Sequence, residues 1–453
     1  MMISTIWQNN KKKIKKAGII VFWLLVWQFV ALAVNNRIML VGPVDVLKSL
    51  LTNIVMKDFW QNVFSSALRI GGGFLAAFFL GLILAFVSYR FSLVEDILSP
   101  VVSVIKSVPV VSFVVLLLIW FGSLNLSFFI VTLIVFPNIY INCLAGLKET
   151  DQALIEMANL FELTPMRKNI YIYRDAIRGR LLSSVKVALG LSFKSGVAAE
   201  VIGLPEFSIG TRIYMSKIYL DTADLFSWTV VVLLVSLIFE KIIIFVLKWA
   251  FEYKPGAVFA SKHKDISESR IEDIVINDIN VTYDEKEVLK NVNVNLKAGG
   301  IYCIMGPSGQ GKTTLLNEIV KRFEGKASVM YQEDRLLLRY DVITNVAMGN
   351  KYATEEECVY LCRKILPDEC LRQPVAELSG GMKRRVAYLR ALIRESQLLI
   401  LDEPFTGLDE EAKDRCIGLL KEVRGGRTVI MVTHDESENV KVGGNRLWIQ
   451  ELH

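Results

Sequence analysis

The chain has 453 residues, of which 53% are hydrophobic, and a formal net charge of +6. So high an apolar content excludes a single soluble domain. The basic residues form no stripe and no patch interleaved with aromatic residues, so we predict no nucleic-acid partner. They flank apolar runs instead, as the cytoplasmic loops of a membrane protein do.

Long apolar runs fill the first half of the chain and predict an all-α transmembrane bundle of about six helices, with membrane lipid as its surroundings. A span needs about 20 mostly apolar residues. The predicted spans are residues 18–34, 64–87, 101–121, 128–147, 181–202 and 228–247. Pro109 interrupts the third span and Pro137 the fourth. From a cytoplasmic N-terminus, six crossings return the chain to the cytoplasm.

The first apolar run has a second interpretation. Lysines precede it and Ala31-Leu32-Ala33 ends it, as in a cleaved signal peptide. Its length of about 17 residues exceeds the usual signal core of about 7–15, which favours a retained helix.

A basic stretch after the fourth span contains Glu156-Met157-Ala158, followed by Phe161 and Ile172. It resembles the EAA loop of bacterial binding-protein-dependent ABC permeases, whose short helix docks on the ATPase. The resemblance implies a coupling role for Glu156, Met157 and Ala158. The sequence departs from the pattern at Glu162, where a glycine is usual, and at Arg174-Asp175, where Leu-Pro is usual.

Further stretches resemble permeases of the nitrate/sulfonate/taurine type. They are Ser66-Ala67-Leu68-Arg69 with Gly73-Phe74, Pro109 followed by Trp120-Phe121-Gly122, and Ala199-Glu200. The resemblance covers most of residues 40–247 and implies import of a small anionic solute.

Two ionisable residues fall inside the fifth predicted span, Lys194 and Glu200. Such groups usually face a bundle interior or a water-filled path, because exposure to lipid is costly. We therefore name both as translocation-path candidates, Lys194 as a contact for an anionic cargo and Glu200 as part of an outer gate. In the alternative interpretation, each pairs with a polar group of a neighbouring helix.

The second half of the chain has the charge density of a soluble domain. We predict a transmembrane domain over residues 1–253, a polar linker over 254–270 and a nucleotide-binding domain over 271–453. An apolar strand ending at Met305 is followed by a glycine-rich loop and a helix start, the context of a phosphate-binding P-loop. The loop residues are Gly306, Pro307, Ser308, Gly309, Gln310, Gly311, Lys312, Thr313 and Thr314.

In a P-loop, glycines let backbone N–H groups surround the phosphates of ATP, the lysine neutralises charge and the hydroxyl of Thr313 binds Mg²⁺. Residues 398–402 predict a buried strand that ends in Asp402, followed by Glu403. Asp402 is placed for Mg²⁺ and Glu403 for polarising the attacking water. We name Glu403 as the catalytic base.

Ser379-Gly380-Gly381 lies between these motifs and opens a basic helix. It resembles the signature of ABC ATPases, in which such residues contact the γ-phosphate held by the other subunit. Smaller matches to that family imply Gln332 as a catalytic and Mg²⁺-binding residue, Asp409 and Tyr283 as nucleotide contacts, and His434 as the catalytic switch histidine.

The family pattern is not complete in the second half. About 20 residues separate Lys312 from Gln332, roughly half the usual number, so we expect part of the antiparallel β subdomain to be missing. Arg384 stands where a glutamine is common. The fold class predicted is thus a transmembrane α bundle followed by an α/β P-loop ABC ATPase with a reduced β subdomain.

One P-loop and one signature at opposite ends of a cassette predict a homodimer with two composite ATP sites. The expected function is ATP-driven uptake of a solute delivered by an extracytoplasmic binding protein, in the cytoplasmic (inner) membrane with the ATPase in the cytoplasm. An exporter half-transporter and a non-transporting membrane sensor ATPase are the alternatives. Six cysteines without framework spacing are expected to be reduced thiols.

Overall fold

The computed structural model describes residues 2–254, 256–257, 259, 272–283, 286–307, 309–323 and 325–449. These residues form two compact units. The helical unit runs to Glu149 and continues over Ala176–Glu252, and the α/β unit comprises Thr150–Asp175 and the chain from Tyr253 onward. The segment Thr150–Asp175 thus groups with the C-terminal unit, because its apolar side chains join the core of that unit. Most of the predicted linker lies outside the described residues.

Residues 2–252 form helices in both units, and several of these helices are long and apolar. In chain order the helices are α1 (Met2–Val34), α2 (Pro43–Val55), α3 (Lys57–Arg90), α4 (Ser92–Ser107), α5 (Val110–Lys148), α6 (Gln152–Leu160), α7 (Pro165–Lys168), α8 (Arg174–Gly203), α9 (Ile209–Ile218) and α10 (Thr222–Glu252). A π-helical turn, Asn169–Tyr173, joins α7 to α8. Of these, α6, α7 and the π turn belong to the α/β unit.

The helical elements differ from the six predicted spans. Among the described residues, α1, α3, α5 and α10 are long and apolar enough to cross a membrane. The backbone of α5 is broken at Gly122, whose φ is +71°, so α5 joins two helical stretches. The third predicted span is not one helix: α4 ends at Ser107 and α5 begins at Val110. Pro109 separates them because it has no N–H and disfavours a helical residue before it. The fifth span lies in α8, whose charged residues lower its hydropathy.

Small residues let α3, α5 and α8 approach closely. A Cβ added at Gly81 of α3 would lie 2.9 Å from Ile139 Cγ2 of α5. A Cβ at Gly196 of α8 would lie 2.6 Å from Ile70 Cγ1 of α3. Since lipid gives no hydrophobic force between helices, such close backbone contact is a main source of their association.

The α/β unit contains a two-stranded antiparallel sheet, a five-stranded parallel sheet and the surrounding helices. Its strands are β1 (Ile274–Tyr283), β2 (Lys286–Leu296), β3 (Ile301–Met305), β4 (Ala327–Met330), β5 (Leu398–Asp402), β6 (Thr428–Val432) and β7 (Asn445–Trp448). Its further helices are α11 (Lys312–Arg322), α12 (Val342–Ala347), α13 (Glu355–Ile365), α14 (Gly380–Leu392), α15 (Glu410–Val423) and α16 (Glu436–Val442).

The parallel sheet has the order β4-β5-β6-β3-β7, and β3 to β6 are buried along their whole length. Helices cover a parallel sheet on both faces, so its strands read as continuous apolar runs. The antiparallel sheet among the described residues consists of β1 and β2 alone, and α11 leads almost directly into β4. The predicted order of an α bundle followed by an α/β domain is confirmed.

All six cysteines are buried free thiols. Burial raises the pKa of Cys303, Cys358 and Cys416 to about 12. In the part of the chain that the structure describes, no group of three or more His, Cys, Asp or Glu side chains is arranged to hold a metal ion. These cysteines therefore act as small apolar core residues.

Candidate functional site

The predicted motifs of the α/β unit meet at the carboxyl edge of the parallel sheet. The P-loop follows β3, Gln332 follows β4, Glu403 follows β5 and His434 follows β6. Because these four strands are neighbours and run in the same direction, the segments after them lie side by side. Ligands of open α/β sheets bind at this edge.

The P-loop has the backbone of a phosphate-binding loop. Gly309 and Gly311 have φ angles of +82° and +86°, which side chains with a Cβ rarely adopt. A Cβ at Gly311 would also lie 3.0 Å from Val288 Cγ1 of β2. The loop ends at the N-terminus of α11, where backbone N–H groups and the helix dipole favour an anion.

Lys312 is held inside this loop. Its Nζ donates to the carbonyl oxygens of Gly306 at 2.7 Å and Pro307 at 2.9 Å. Burial lowers the pKa of Lys312, while Glu403 and Asp402 oppose that shift. The neighbouring side chains of Gln310 and Thr314 are half-buried beside it.

Thr313 and Asp402 form an oxygen pair at the start of α11 and the end of β5. The hydroxyl of Thr313 donates to the carboxylate of Asp402. Burial and the neighbouring Glu403 raise the pKa of Asp402 to about 6, against the effects of Arg384, Thr313 and Lys312. Hydroxyl and carboxylate oxygens are the ligands Mg²⁺ prefers, so this donor set fits the predicted metal.

Glu403 and His434 are in direct contact. His434 Nε2 lies 2.6 Å from Glu403 Oε1. Glu403 has a φ of +48°, and its N–H donates to Val432 O at 3.0 Å, which connects the ends of β5 and β6. Strained backbone held by surrounding structure is common where a side chain must point at a reacting group. In this arrangement the Glu403 carboxylate can accept a proton from a water molecule, and His434 keeps that carboxylate oriented.

Gln332 follows β4, and the signature residues form the start of α14. Gln332 is exposed just after β4. Ser379 caps α14, its Oγ accepting from Met382 N at 3.3 Å, and a Cβ at Gly381 would lie 3.3 Å from Gly407 O. Gly380 is exposed at the start of α14.

For the other predicted nucleotide contacts, the structure either shows a different contact or does not describe the side chain. The carboxylate of Asp409 caps α15 by accepting from Ala412 N at 2.7 Å, so its nucleotide contact stays a prediction. Ser308 and the side chain of Tyr283 lie outside the described residues.

The segment Thr150–Asp175 packs on a core of its own unit that also contains residues of β3 and α11. Met157 and Ala158 are fully buried in a core that also contains Leu337 and Met348. Glu156 pairs with Arg335 at 2.9 Å, only three residues after Gln332. The predicted coupling residues therefore contact the segment that follows Gln332.

Two further contacts fix the middle of this segment. The ring of Phe161 lies under the guanidinium groups of Arg390 and Arg394, at 5.4 and 5.7 Å from its centroid. Glu162 pairs with Arg394 at 3.1 Å and Lys351 at 3.4 Å. The sequence does not mark these two arginines as a pair for this contact, because Arg390 lies in the last turn of α14 and Arg394 lies beyond its end.

Glu162 occupies a left-handed turn, with a φ of +52°. This explains why the EAA pattern has a glycine here, since only glycine adopts this region without steric cost. The ion pairs of Glu162 with basic side chains offset that cost. The turn geometry of the pattern is thus retained with a different residue.

We expect Phe161→Ala to weaken the docking of the segment strongly, because truncating a buried aromatic side chain costs about 3–5 kcal/mol. ATP binding should persist while the ATPase stops responding to transported solute. The measurement is ATPase stimulation in proteoliposomes, with Met166→Ala, an exposed position in the same segment, as the control. Normal stimulation in the Phe161 variant would contradict a coupling role.

In the helical unit, two motifs of the sulfonate-type pattern meet around Glu200. Its carboxylate accepts from Ser66 Oγ at 2.7 Å and from Gly210 N at 3.2 Å, and it pairs with Arg69 at 3.3 Å. Glu200 is fully buried, and its partners Ser66 and Arg69 lie on α3. These contacts agree with the alternative interpretation, in which Glu200 pairs with polar groups of a neighbouring helix. Lys194 is exposed on α8, and its path role stays a prediction.

Two regions of the chain match known families. Residues 77–252 match the binding-protein-dependent transport system inner membrane component, and residues 289–406 match the ABC transporter family. The aliphatic sulfonates import ATP-binding protein SsuB of Yersinia pestis is 34% identical over 198 residues, covering 39% of this chain and 73% of that protein. The taurine import ATP-binding protein TauB of Escherichia coli O157:H7 is 36% identical over 183 residues, covering 35% and 72%.

A solved dimer of an ATP-binding cassette bound to ADP and Pi matches 39% of this chain and 93% of its own, at 23% identity and a TM-score of 0.34. The family matches fall in the order predicted from the motifs, permease first and ATPase second. They support ATP hydrolysis by the C-terminal part of a multi-pass membrane protein. The chain therefore belongs to the ABC transporter family and joins a permease region and an ATPase in one polypeptide.

Proposed function

We propose that the chain imports a small anionic solute of the sulfonate class, driven by ATP and delivered by a separate extracytoplasmic binding protein. The observation that carries this proposal is the EAA-like segment, whose Met157 and Phe161 are buried against the ATP-binding part of the unit. The match of residues 77–252 to binding-protein-dependent permeases also supports import as the direction of transport. The sulfonate class comes from the names of the relatives.

ATP and Mg²⁺ are the proposed ligands of the carboxyl edge of the sheet. The P-loop N–H groups and Lys312 would hold the phosphates, and Thr313, Asp402 and Gln332 would hold the metal. Bound Mg²⁺ would neutralise the developing phosphate charge. The chain's own contribution is to position the water with Glu403 and to keep that carboxylate oriented through His434.

The proposed assembly is a homodimer in the cytoplasmic membrane. Ser379 and Gly381 of one copy would contact the phosphates held by the P-loop of the other, as the signature resemblance implies. Closure of the two cassettes on ATP would move the segment around Glu156, which contacts Arg335 just after Gln332. That movement would alternate access across the helical unit.

Reconstituted transport tests the proposed function. We expect proteoliposomes with ATP inside to accumulate labelled taurine or an alkanesulfonate from outside only when the copurifying solute-binding protein is present. Vesicles with the Glu403→Gln chain are the control for ATP dependence. Net efflux would support the exporter alternative, and solute-independent ATPase activity without flux would support a membrane sensor. Saturable uptake without any binding protein would contradict the proposed partner.

A further inference from the structure

Arg384 connects the two segments that carry the catalytic groups. It lies on α14 and is only 7% exposed. One terminal nitrogen, Nη1, donates to Tyr331 O at 3.1 Å, Gln332 O at 2.7 Å and Asp334 Oδ1 at 2.9 Å. The other, Nη2, donates to the carbonyl oxygens of Asp402 and Glu403, both at 2.6 Å.

These contacts lie just beyond the end of the sheet ladder. The pairing of β4 with β5 ends at Met330 and Leu401, so the following residues are not fixed to each other by strand hydrogen bonds. Arg384 bridges that gap with one side chain. The positive charge of Arg384 strengthens each hydrogen bond to a carbonyl oxygen. Because the side chain is buried, it restricts the movement of both backbone segments.

We propose that Arg384 is a positioning residue for ATP hydrolysis, holding the backbone at Tyr331–Gln332 and the end of β5 in a fixed relation. It acts through Gln332, Asp402 and Glu403 and does not itself touch the nucleotide. The side-chain amides and carboxylates of those residues keep their spacing only while the bridge is intact.

The chemistry of the bridge requires a guanidinium. Two terminal nitrogens in a rigid plane serve two separate backbone segments at once. A glutamine amide offers two N–H donors on one nitrogen and can serve only one segment. A lysine ammonium retains the charge but places its donors around a single point.

The test compares Arg384→Gln and Arg384→Lys in the full-length chain in lipid nanodiscs. We expect kcat of ATP hydrolysis to fall about 10–100-fold in Arg384→Gln, because displacing reacting groups by about 1 Å has effects of this size. Arg384→Lys should fall between this variant and wild type. The KM for ATP should stay within about twofold, since the P-loop is untouched.

Arg415→Gln is the matched control, an exposed arginine of α15 that pairs with Glu411, and its kcat should equal wild type. Wild-type kcat in Arg384→Gln would overturn the proposal. So would a parallel rise in KM and loss of thermal stability in both Arg384 variants, which indicates a general structural role. If Arg384→Gln does not fold, Arg384→Lys decides by the same kcat and KM criteria. Failure of both to fold overturns the positioning role.

Discussion

Glu403→Gln should retain ATP binding and lose steady-state ATP turnover by about 10²–10⁴-fold, the usual contribution of a positioned general base. The substitution keeps the size of the side chain and removes the charge that faces His434 Nε2 at 2.6 Å. The amide cannot accept a proton from the attacking water. The phosphate-holding groups of the P-loop are not changed, so nucleotide affinity should stay.

Equilibrium binding of a fluorescent ATP analogue and phosphate release measure these two effects separately. Glu411→Gln, at an exposed position of α15 in the same unit, controls for loss of one carboxylate and should turn over normally. Near-wild-type phosphate release by the Glu403 variant would remove Glu403 from the catalytic role.

Mixing two inactive chains should restore ATPase activity if the proposed homodimer forms. Lys312→Ala removes the P-loop cation, and Ser379→Arg blocks the signature, so each variant alone has two damaged composite sites. In a mixed dimer, one site carries both defects and the other carries neither. Random mixing makes about half of the dimers mixed, so about a quarter of all sites should be intact.

Copurification through two different affinity tags isolates the mixed dimer for the phosphate-release measurement. A tag-matched mixture of two Lys312→Ala chains is the control and should stay inactive. Full activity in a preparation that is monomeric by mass would contradict the homodimer, and inactivity of the isolated mixed dimer would contradict the composite site.

Motifs that act through local backbone could be predicted from the sequence. The glycines of the P-loop adopt positive φ at Gly309 and Gly311, and Ser379 and Asp409 begin helices as their residue types favour. Each of these properties depends on a few neighbouring residues. The α/β class of the C-terminal domain could also be predicted, because buried strands such as Leu398–Asp402 appear in the sequence as unbroken apolar runs.

The bounds of the membrane helices were predicted less well. Hydropathy over a window registers average composition, so it gave one span for residues 101–121, where the backbone breaks between Ser107 and Val110. It also gave a span for residues 181–202, which are helical in α8 although the apolar average is low. The sequence marked both Pro109 and Pro137 as interruptions, but the helix ends only at Pro109, because Pro137 is accommodated inside α5.

The sequence by itself determined the two-part organisation, the ATP-binding motifs and the EAA-like segment, because each is encoded by residues close together in the chain. Only the tertiary structure decided which distant residues act together: Arg384 with Gln332 and Glu403, Glu162 with Arg394, and Glu200 with Arg69. These pairs depend on strand order and helix packing. Contacts between residues far apart in sequence form only when the whole core is assembled, and no local pattern specifies them.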